Sequence, residues 1–578
     1  MARNIFPIWD APIASTNFNV VTAVLGGFIS LFGLVSYLLK EQFYLSEALI
    51  AMLVGVAFGP KGANFFRPKE YAGCPQNNLS ERDCDANLDA ITLDFSRLVL
   101  AVQLVLAGVQ LRSKYLWKEA KSISLLVGPG MTAMWLATSL LVWALIRPPS
   151  FLHALAVGAC VTPTDPVLSA VIVKGKFADK NIPKELQDLI VAESGSNDGL
   201  GYPFLFFALY LIKYVGSGAP PDGGGAGEAF GLWFALTWAY VILMSIVYGA
   251  VVGLLAQYLL HWAEDHGWVD RESFLVFSIS LALFVLGTCG LLGTDDVLAC
   301  FVAGNAFTWD DWFRLETKDD SLQPTIDMLL NVSIFLWYGA VVPWDLIAHN
   351  SFTHLYRIIP LGLLVLVLRR LPWVYAMHHL IHQIEGHRQA IFVGFFGPIG
   401  VSAVFYLFIA NEFIDRHLSD DSGVPRSDVV HLRDTVTVVV WFMVVCSVVV
   451  HGMSIPLGKL GYMAPRTLSR ALSGETSDSG NNSRLFLPGF GRRITTNKDD
   501  NASNPENTPR GRGSSSRAAS SSRPPTDRAL VPKIELNNAL TIPDRIDTPK
   551  ASLRREIRFP DEVPNPSEGR AEISVVQA

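Results

Sequence analysis

Apolar segments long enough to cross a lipid bilayer follow one another through most of the chain. They begin at Phe18, alternate with short polar stretches and end near residue 455. An α-helix needs about 20 residues to cross a hydrocarbon layer of about 30 Å. The pattern predicts thirteen transmembrane helices, at 18–39, 44–60, 91–111, 123–146, 151–173, 186–214, 229–260, 272–288, 290–306, 325–343, 354–377, 388–411 and 431–455.

One pair of these segments also allows a different division. Gly287, Gly290 and Gly293 lie between 272 and 306. Glycine marks either a turn or a bend in an apolar segment. The sequence therefore allows two short helices or one long bent helix in this part of the chain.

The composition changes near residue 463. Residues 464–578 are rich in Ser, Arg, Pro, Asn and Asp and contain no long apolar run. Such a segment cannot bury enough apolar surface to offset the loss of chain entropy on folding. We therefore expect an N-terminal segment at 1–17, a transmembrane domain at 18–463 and a disordered cytoplasmic tail at 464–578.

Composition and charge exclude several classes of protein. Apolar residues make up 50% of the chain and charged residues only 17%, which excludes a single soluble domain. Six cysteines are too few for a disulfide-built scaffold. A net charge of −6 excludes basic nucleic-acid binding as the main activity. The tail carries 18 basic and 14 acidic residues, so acids outnumber bases in the membrane domain.

Basic residues in two short loops predict the orientation. Four lie in 112–121 and four in 174–184, two loops later and hence on the same side. Short basic loops face the cytoplasm. The tail then lies in the cytoplasm and the N-terminus outside. The loop at 61–90 also lies outside, where a Cys74–Cys84 disulfide and a glycan on Asn78 are permitted.

A polar motif interrupts the segment at 151–173. Pro163 and Pro166 each lack a backbone donor, so a continuous helix cannot pass through. Thr164 and Asp165 lie between them. A break of this kind exposes helix ends at mid-membrane, where they can bind a polar ligand. The alternative is a purely structural kink in which Asp165 bonds to the freed amides.

A second motif places acids in the segment at 186–214. Glu193 and Asn197 share a helix face and Asp198 lies beside it, with Ser194 close by. This set of oxygens suits a hard cation. Burial favours the protonated form of a carboxyl group. One carboxylate that holds either a proton or a cation is the minimum device for exchange. The alternative is a polar loop between two helices.

Two further charged pairs lie within apolar sequence. Asp295 and Asp296 either line the entrance to a pathway or are exposed in a loop. Arg369 and Arg370 follow an apolar run, and a buried arginine needs an anionic partner, for which Glu193 is the candidate. The alternative for the arginines is a pair that extends to the membrane surface.

Gly397 and Pro398 interrupt the segment at 388–411 much as Pro163 and Pro166 interrupt the one in the first half. A pair of broken segments in corresponding positions indicates a transporter with inverted repeats and a site at the midplane of the membrane.

Three motifs together carry a family resemblance. The stretches 162–166, 193–198 and 397–400, in this order, closely resemble the monovalent cation–proton antiporters, in their fungal plasma-membrane sodium/proton branch. The resemblance covers roughly residues 15–460. It implies an all-α fold of thirteen transmembrane helices, with a dimerisation domain and a mobile core in which two broken helices cross.

The resemblance also implies roles for individual residues. Glu193 would pair with Arg370, with Arg369 as second choice, and Asp295 and Asp296 are similar to an acid pair of the fungal branch. Some relatives carry a carboxylate where this chain has Leu106, and Gln103 is the nearest polar residue. The residues implied to bind or support the ion or the proton are Asp198, Asn197, Asp165, Thr164 and Ser194.

The function implied is secondary active exchange of cytoplasmic Na⁺ (Li⁺, with K⁺ as a further candidate) for external H⁺ by alternating access. A homodimer in the plasma membrane, surrounded by lipid, would serve pH homeostasis and salt tolerance. We expect no enzymatic activity, no cofactor and no nucleic-acid partner, while the tail is a candidate for binding regulators. The alternative is a passive cation channel, although no repeated filter sequence is present. An intramembrane aspartyl protease fits poorly, because Tyr202 stands where that class has an aspartate.

Overall fold

The structure is a computed structural model that describes residues 17–37, 45–74, 80–166, 168–169, 182–221, 223–350, 352–419 and 424–454. Helices account for all of its regular structure, and within these ranges the only β-type pairing is an isolated bridge between Ser419 and Pro425. The predicted N-terminal segment up to residue 16, the predicted tail and Asn78 lie outside the described residues.

Sixteen main helices, numbered here in chain order, form the fold. They are α1 (Asn17–Tyr37), α2 (Glu47–Phe58), α3 (Glu81–Gln110), α4 (Ala120–Leu145), α5 (Phe151–Cys160), α6 (Lys184–Gly199), α7 (Tyr202–Val215), α8 (Gly225–Asp265), α9 (Arg271–Leu292), α10 (Asp296–Phe307), α11 (Leu322–Val341), α12 (Leu355–Leu368), α13 (Leu371–Met377), α14 (His387–Phe395), α15 (Val401–His417) and α16 (Leu432–Gly452).

The lengths of the helices fit a polytopic membrane protein. Among the described residues, eight helices are long and apolar enough to cross a membrane, and three apolar helices are shorter. The predicted segment at 186–214 is divided into α6 and α7, which meet at Leu200 and Gly201. The segment at 388–411 is likewise divided, into α14 and α15. The count of thirteen crossings stays a prediction.

The uncertain stretch at 272–306 forms two helices, but the predicted boundary near residue 289 is wrong. Helix α9 continues to Leu292. The next residue, Gly293, caps the end of this helix with a φ of 68°, in the left-handed region that glycine adopts most easily. Asp295 then starts α10 by accepting a hydrogen bond from the backbone N–H of Leu298 (3.0 Å).

Two helix pairs, each joining a helix of the first half of the chain to a helix of the second half, meet through glycines. Gly55 of α2 faces Gly339 of α11, and a Cβ at Gly55 would lie 2.1 Å from the carbonyl oxygen of Leu336. Gly108 of α3 faces Gly304 of α10 with similarly little space. Small residues of this kind allow helices in membranes to approach closely. Both of these contacts between the halves therefore use the same packing device.

The loop before α3 contains the disulfide that the predicted outside location permits. Cys74 is bonded to Cys84, which lies in the first turn of α3. At the far end of the same helix, Arg112 forms an ion pair with Asp188 (2.7 Å). The disulfide and the first basic loop therefore lie at opposite ends of a 30-residue helix.

Candidate functional site

The first break, residues 161–165, separates α5 from the helical residues that follow it. Thr162 donates its hydroxyl to the carbonyl oxygen of Gly158 (2.7 Å), which completes the last turn of α5. The backbone N–H of Asp165 donates to the carbonyl oxygen of Pro398 (3.0 Å), in the other interrupted segment. The break is fully buried, so its backbone groups need partners inside the protein.

The second break, residues 396–400, separates α14 from α15. Its Ile399 N–H donates to the hydroxyl of Ser447 in α16 (2.7 Å). The N–H of Val401, at the start of α15, donates to Oδ2 of Asp165 (2.5 Å). A Cβ at Gly400 would lie 1.7 Å from that oxygen, so only glycine fits there. The two breaks therefore touch, and the Asp165 carboxylate connects them.

Arg369 satisfies the carbonyl groups that both breaks leave open. Its guanidinium donates to the carbonyl oxygens of Val161, Thr162 and Pro163 in the first break and of Gly397 in the second. Helix ends that expose carbonyls carry partial negative charge, which a cation stabilises. Arg369 is buried, so the alternative in which the two arginines extend to the membrane surface is wrong.

Arg370 forms the ion pair that the resemblance gives as first choice. Both of its terminal nitrogens donate to the Glu193 carboxylate, with an Nη2–Oε2 distance of 2.7 Å for the longer bond. Its Nε donates to the carbonyl oxygen of Val393 in α14 (3.0 Å). Both side chains of the pair are buried. The pair thus connects α6 to the helix that leads into the second break.

Asn197 connects α6 to the first break. Its Oδ1 accepts from the backbone N–H of Thr164 (3.0 Å), and its Nδ2 donates to the Thr164 hydroxyl (2.7 Å). That hydroxyl also lies 3.2 Å from the hydroxyl of Ser194. All three side chains are buried. The structure therefore brings together the predicted oxygen donors and already joins them to one another.

Asp198 has a different environment. Its side chain is completely buried, and neither carboxylate oxygen has a hydrogen-bond partner among the described residues. Ser402 of α15 faces the carboxylate, and Asp165 and Asp295 are the other acids close enough to act on it. Its backbone carbonyl accepts a hydrogen bond from the Tyr406 hydroxyl. The polar-loop alternative for this motif is wrong, because Asp198 lies within α6.

The acid pair at the start of α10 is buried as well. Asp296 forms an ion pair with Arg97 of α3, with an Nη2–Oδ2 distance of 2.5 Å. Asp295 caps α10, and its Oδ2 has no hydrogen-bond partner in the part of the chain that the structure describes. The alternative in which these acids are exposed in a loop is therefore wrong. Their position in an ion pathway stays a prediction.

Sequence reasoning missed the roles of several polar residues within the predicted apolar segments. Arg97 and Asp327 are charged and lie within predicted apolar segments, so the rule for intramembrane charges would have identified them. Gln103 bonds to Asn331 (2.5 Å) and to Asp327 (3.2 Å). No pattern in the sequence distinguishes Ser402 from other hydroxyl residues. In the described ranges, no group of three or more His, Cys, Asp or Glu residues could hold a metal ion.

Comparison with known proteins gives relatives over most of the chain. The profile of the family described as "Sodium/hydrogen exchanger, transmembrane" matches residues 27–457. The Na⁺/H⁺ antiporter 2 of Zygosaccharomyces rouxii is 36% identical over 81% of this chain and 56% of its own. The Na⁺/H⁺ antiporter of Saccharomyces cerevisiae is 35% identical, over 83% and 47%. The chain thus spans about half the length of these two relatives.

A third relative and a solved structure extend the comparison. The Na⁺/H⁺ antiporter of Schizosaccharomyces pombe is 30% identical over 76% of this chain and 89% of its own. The solved structure of the sodium proton antiporter MjNhaP1 of Methanocaldococcus jannaschii has the same fold, with a TM-score of 0.52 and 18% identity over 76% of this chain and 99% of its own. The two breaks that touch and the matches to known proteins lead to the same conclusion. The chain belongs to the family of transmembrane sodium/hydrogen exchangers.

Proposed function

We propose that the protein is a secondary active transporter that exchanges Na⁺ for H⁺ by alternating access. Li⁺ and K⁺ are further candidate substrates. In this proposal, Asp198 holds either a cation or a proton, and never both. The relatives named as Na⁺/H⁺ antiporters support the substrates, and the geometry around Asp198 supports the mechanism.

The observation that carries the proposal is the unpartnered carboxylate of Asp198. Buried polar atoms are nearly always hydrogen-bonded, and a buried charge needs a partner. Both carboxylate oxygens of Asp198 are buried and lack one among the described residues. A proton or a monovalent cation would each satisfy this requirement. Because the two compete for the same oxygens, binding of one would release the other, which is the basis of exchange.

The neighbouring charged groups support Asp198 as the one group of the site whose charge changes during exchange. Asp165 accepts the N–H of Val401, and Arg369 covers the carbonyls of both breaks. The Glu193 carboxylate is engaged in its ion pair with Arg370. These three charges are engaged with fixed protein groups, so Asp198 is the carboxylate best placed to exchange partners. Asn197 would keep the first break in place beside it.

Nothing in the described geometry favours the passive channel. A channel needs an open path along which ions bind weakly and leave freely. Asp198 of α6 is fully buried, and its backbone carbonyl accepts a hydrogen bond from Tyr406 of α15. A site closed on this scale suits a carrier that opens to each side in turn, with the core moving against the rest of the molecule.

The orientation and setting form part of the same proposal. The Cys74–Cys84 disulfide would face the outside, where thiols oxidise, and the basic loop after α3 would face the cytoplasm. The disulfide and the basic loop lie at opposite ends of α3, which supports this arrangement. A homodimer in the plasma membrane, with the tail available to regulators, completes the proposal.

The test uses the purified full-length protein in proteoliposomes with an imposed pH gradient and an internal pH dye. Adding Na⁺, then Li⁺, then K⁺ should dissipate the gradient for each transported ion. Asp198→Asn should reduce this dissipation to the level of empty vesicles while the protein remains folded by size-exclusion chromatography. Asp265→Asn, at an exposed carboxyl group, is the matched control and should leave exchange unchanged. Normal exchange by Asp198→Asn would refute the mechanism.

A further inference from the structure

Helix α15 places one more unpartnered oxygen beside Asp198. The hydroxyl of Ser402 is buried, with 1% of the residue exposed, and has no hydrogen-bond partner among the described residues. It faces the carboxylate of Asp198, and apart from this mutual contact the two carboxylate oxygens have no partner among the described residues. Three buried oxygens that have no other partner in the described part of the chain therefore meet at one place, between the two halves of the chain.

The hydroxyl of Ser402 does not take the usual partner of a serine in a helix. Several buried serines elsewhere in this protein donate to the carbonyl oxygen four residues earlier, as Ser96 and Ser196 do (2.6 and 2.7 Å). For Ser402 that carbonyl belongs to Pro398, in the second break, and it accepts the N–H of Asp165 instead. The break therefore frees the Ser402 hydroxyl for another ligand.

The hydroxyls expected from sequence to bind the ion are already engaged. Thr164 and Ser194 lie within hydrogen-bond distance of each other, and Thr164 also accepts from Asn197. Both belong to the first half of the chain. Ser402 belongs to the second half, and a ligand from there would let one ion contact both breaks.

Tyr406 holds Ser402 in this orientation. It lies one helical turn after Ser402 and so on the same face of α15. Its hydroxyl donates to the backbone carbonyls of Asp198 and Gly199, the second at 3.1 Å. Its ring occupies the space beside Gly201, where a Cβ would lie 2.4 Å away. These contacts fix the rotation of α15 relative to α6.

We propose that the Ser402 hydroxyl is a direct ligand of the transported cation, with Asp198 as the charged ligand. The ligand class is a hard monovalent cation that has lost part of its hydration shell, for which neutral and charged oxygens are the preferred donors. This inference rests on the proposed function, because it assigns a further ligand within the same site.

The test compares Ser402→Ala with wild type in proteoliposomes. Loss of one neutral ligand should raise the apparent KM for Na⁺ and Li⁺ about tenfold and leave Vmax within about twofold. The stabilisation of the purified protein by Na⁺, measured as the increase in Tm, should shrink in parallel. Ser278→Ala is the matched control, since Ser278 of α9 is also buried with an unpartnered hydroxyl in the described part of the chain. It should leave both quantities unchanged.

The outcomes separate this inference from the proposed function. If Asp198→Asn abolishes exchange but Ser402→Ala keeps the wild-type KM for both ions, Ser402 is not a ligand and the proposed function stands. If wild type shows no exchange triggered by a cation, both proposals fail. Should Ser402→Ala not fold, Ser402→Cys keeps the size of the side chain and replaces oxygen by sulfur, a poor ligand for Na⁺. The same increase in KM is expected for it, and a wild-type KM would overturn the inference.

Discussion

The two breaks in the membrane helices touch each other but are built differently. The first, at 161–165, contributes its own polar side chains, Thr164 and Asp165. The second, at 396–400, has the sequence Phe-Gly-Pro-Ile-Gly and contributes only backbone groups. Its partners come from elsewhere in the chain, since Ser447 accepts the N–H of Ile399. The polar side chains are therefore concentrated in the first break.

Further partners show how much the second break depends on other helices. Arg369 donates to the carbonyl of Gly397, and Nε2 of His451 lies 3.1 Å from the carbonyl oxygen of Phe395. Asp165, from the first break, accepts the N–H of Val401. The second break thus provides a close-fitting backbone surface, and its position depends on side chains that reach it. Three predictions test this difference.

The largest effect is expected at the point of closest contact. Gly400→Ala places a Cβ where the Asp165 carboxylate lies, so the two breaks must move apart. We expect the loss of Na⁺-driven proton movement in proteoliposomes and a clear drop in the yield of folded protein. Gly231→Ala is the control, because nothing lies within 4 Å of a Cβ there. Wild-type exchange by Gly400→Ala would show that the crossing is looser than the contacts indicate.

The next effect concerns the ion pair of Glu193 and Arg370, which connects α6 to α14. Glu193→Gln leaves the buried Arg370 without its counter-ion and should lower the free energy of unfolding by about 3–5 kcal/mol. Arg370→Met should cost a similar amount, and the double variant should cost much less than the sum. Denaturant unfolding in detergent measures the cycle. The exposed pair Glu412–Arg416 serves as control, with a coupling of about 0–1 kcal/mol. Additive effects of the two buried substitutions would contradict the pairing.

The smallest effect is expected at a single hydrogen bond. Ser447→Ala removes the acceptor of the Ile399 N–H in the second break and should cost about 1–3 kcal/mol of unfolding free energy. Ser245→Ala is the control, because Ser245 is equally buried and its hydroxyl bonds, among the described residues, only to the Val241 carbonyl of its own helix. Its cost should be smaller. Equal decreases in Tm for the two variants would mean that the second break does not depend on Ser447.

The motifs of the site could be identified from the sequence because each one departs from a local rule. Proline inside an apolar segment interrupts a helix wherever it stands, so Pro163 and Pro398 identify the breaks without a structure. A carboxylate in an apolar segment is costly in any fold, which identifies Asp165 and Asp198. The same rule applied to single charges would have added Arg97 and Asp327.

Other assignments could not come from sequence. Arg369 and Arg370 are adjacent and chemically identical, so the residues alone do not decide between them. The family resemblance gave Arg370 as the partner of Glu193, and the structure contains this pair. Only the structure shows that Arg369 contacts carbonyls of both breaks. From the sequence, Asp295 and Asp296 fit an exposed loop or an ion pathway equally well. The burial of both residues and the ion pair of Asp296 with Arg97 exclude the exposed loop.

The sequence by itself determined the class of membrane protein, the two breaks and the acids beside them. These features follow from apolar length, proline geometry and the cost of buried charge, all of which act within a few residues. The tertiary structure alone decided how the groups of the site contact one another, above all that Ser402 faces Asp198 across 204 positions of sequence. Contacts at that separation depend on how helices rotate and cross, and no local pattern in the chain records this.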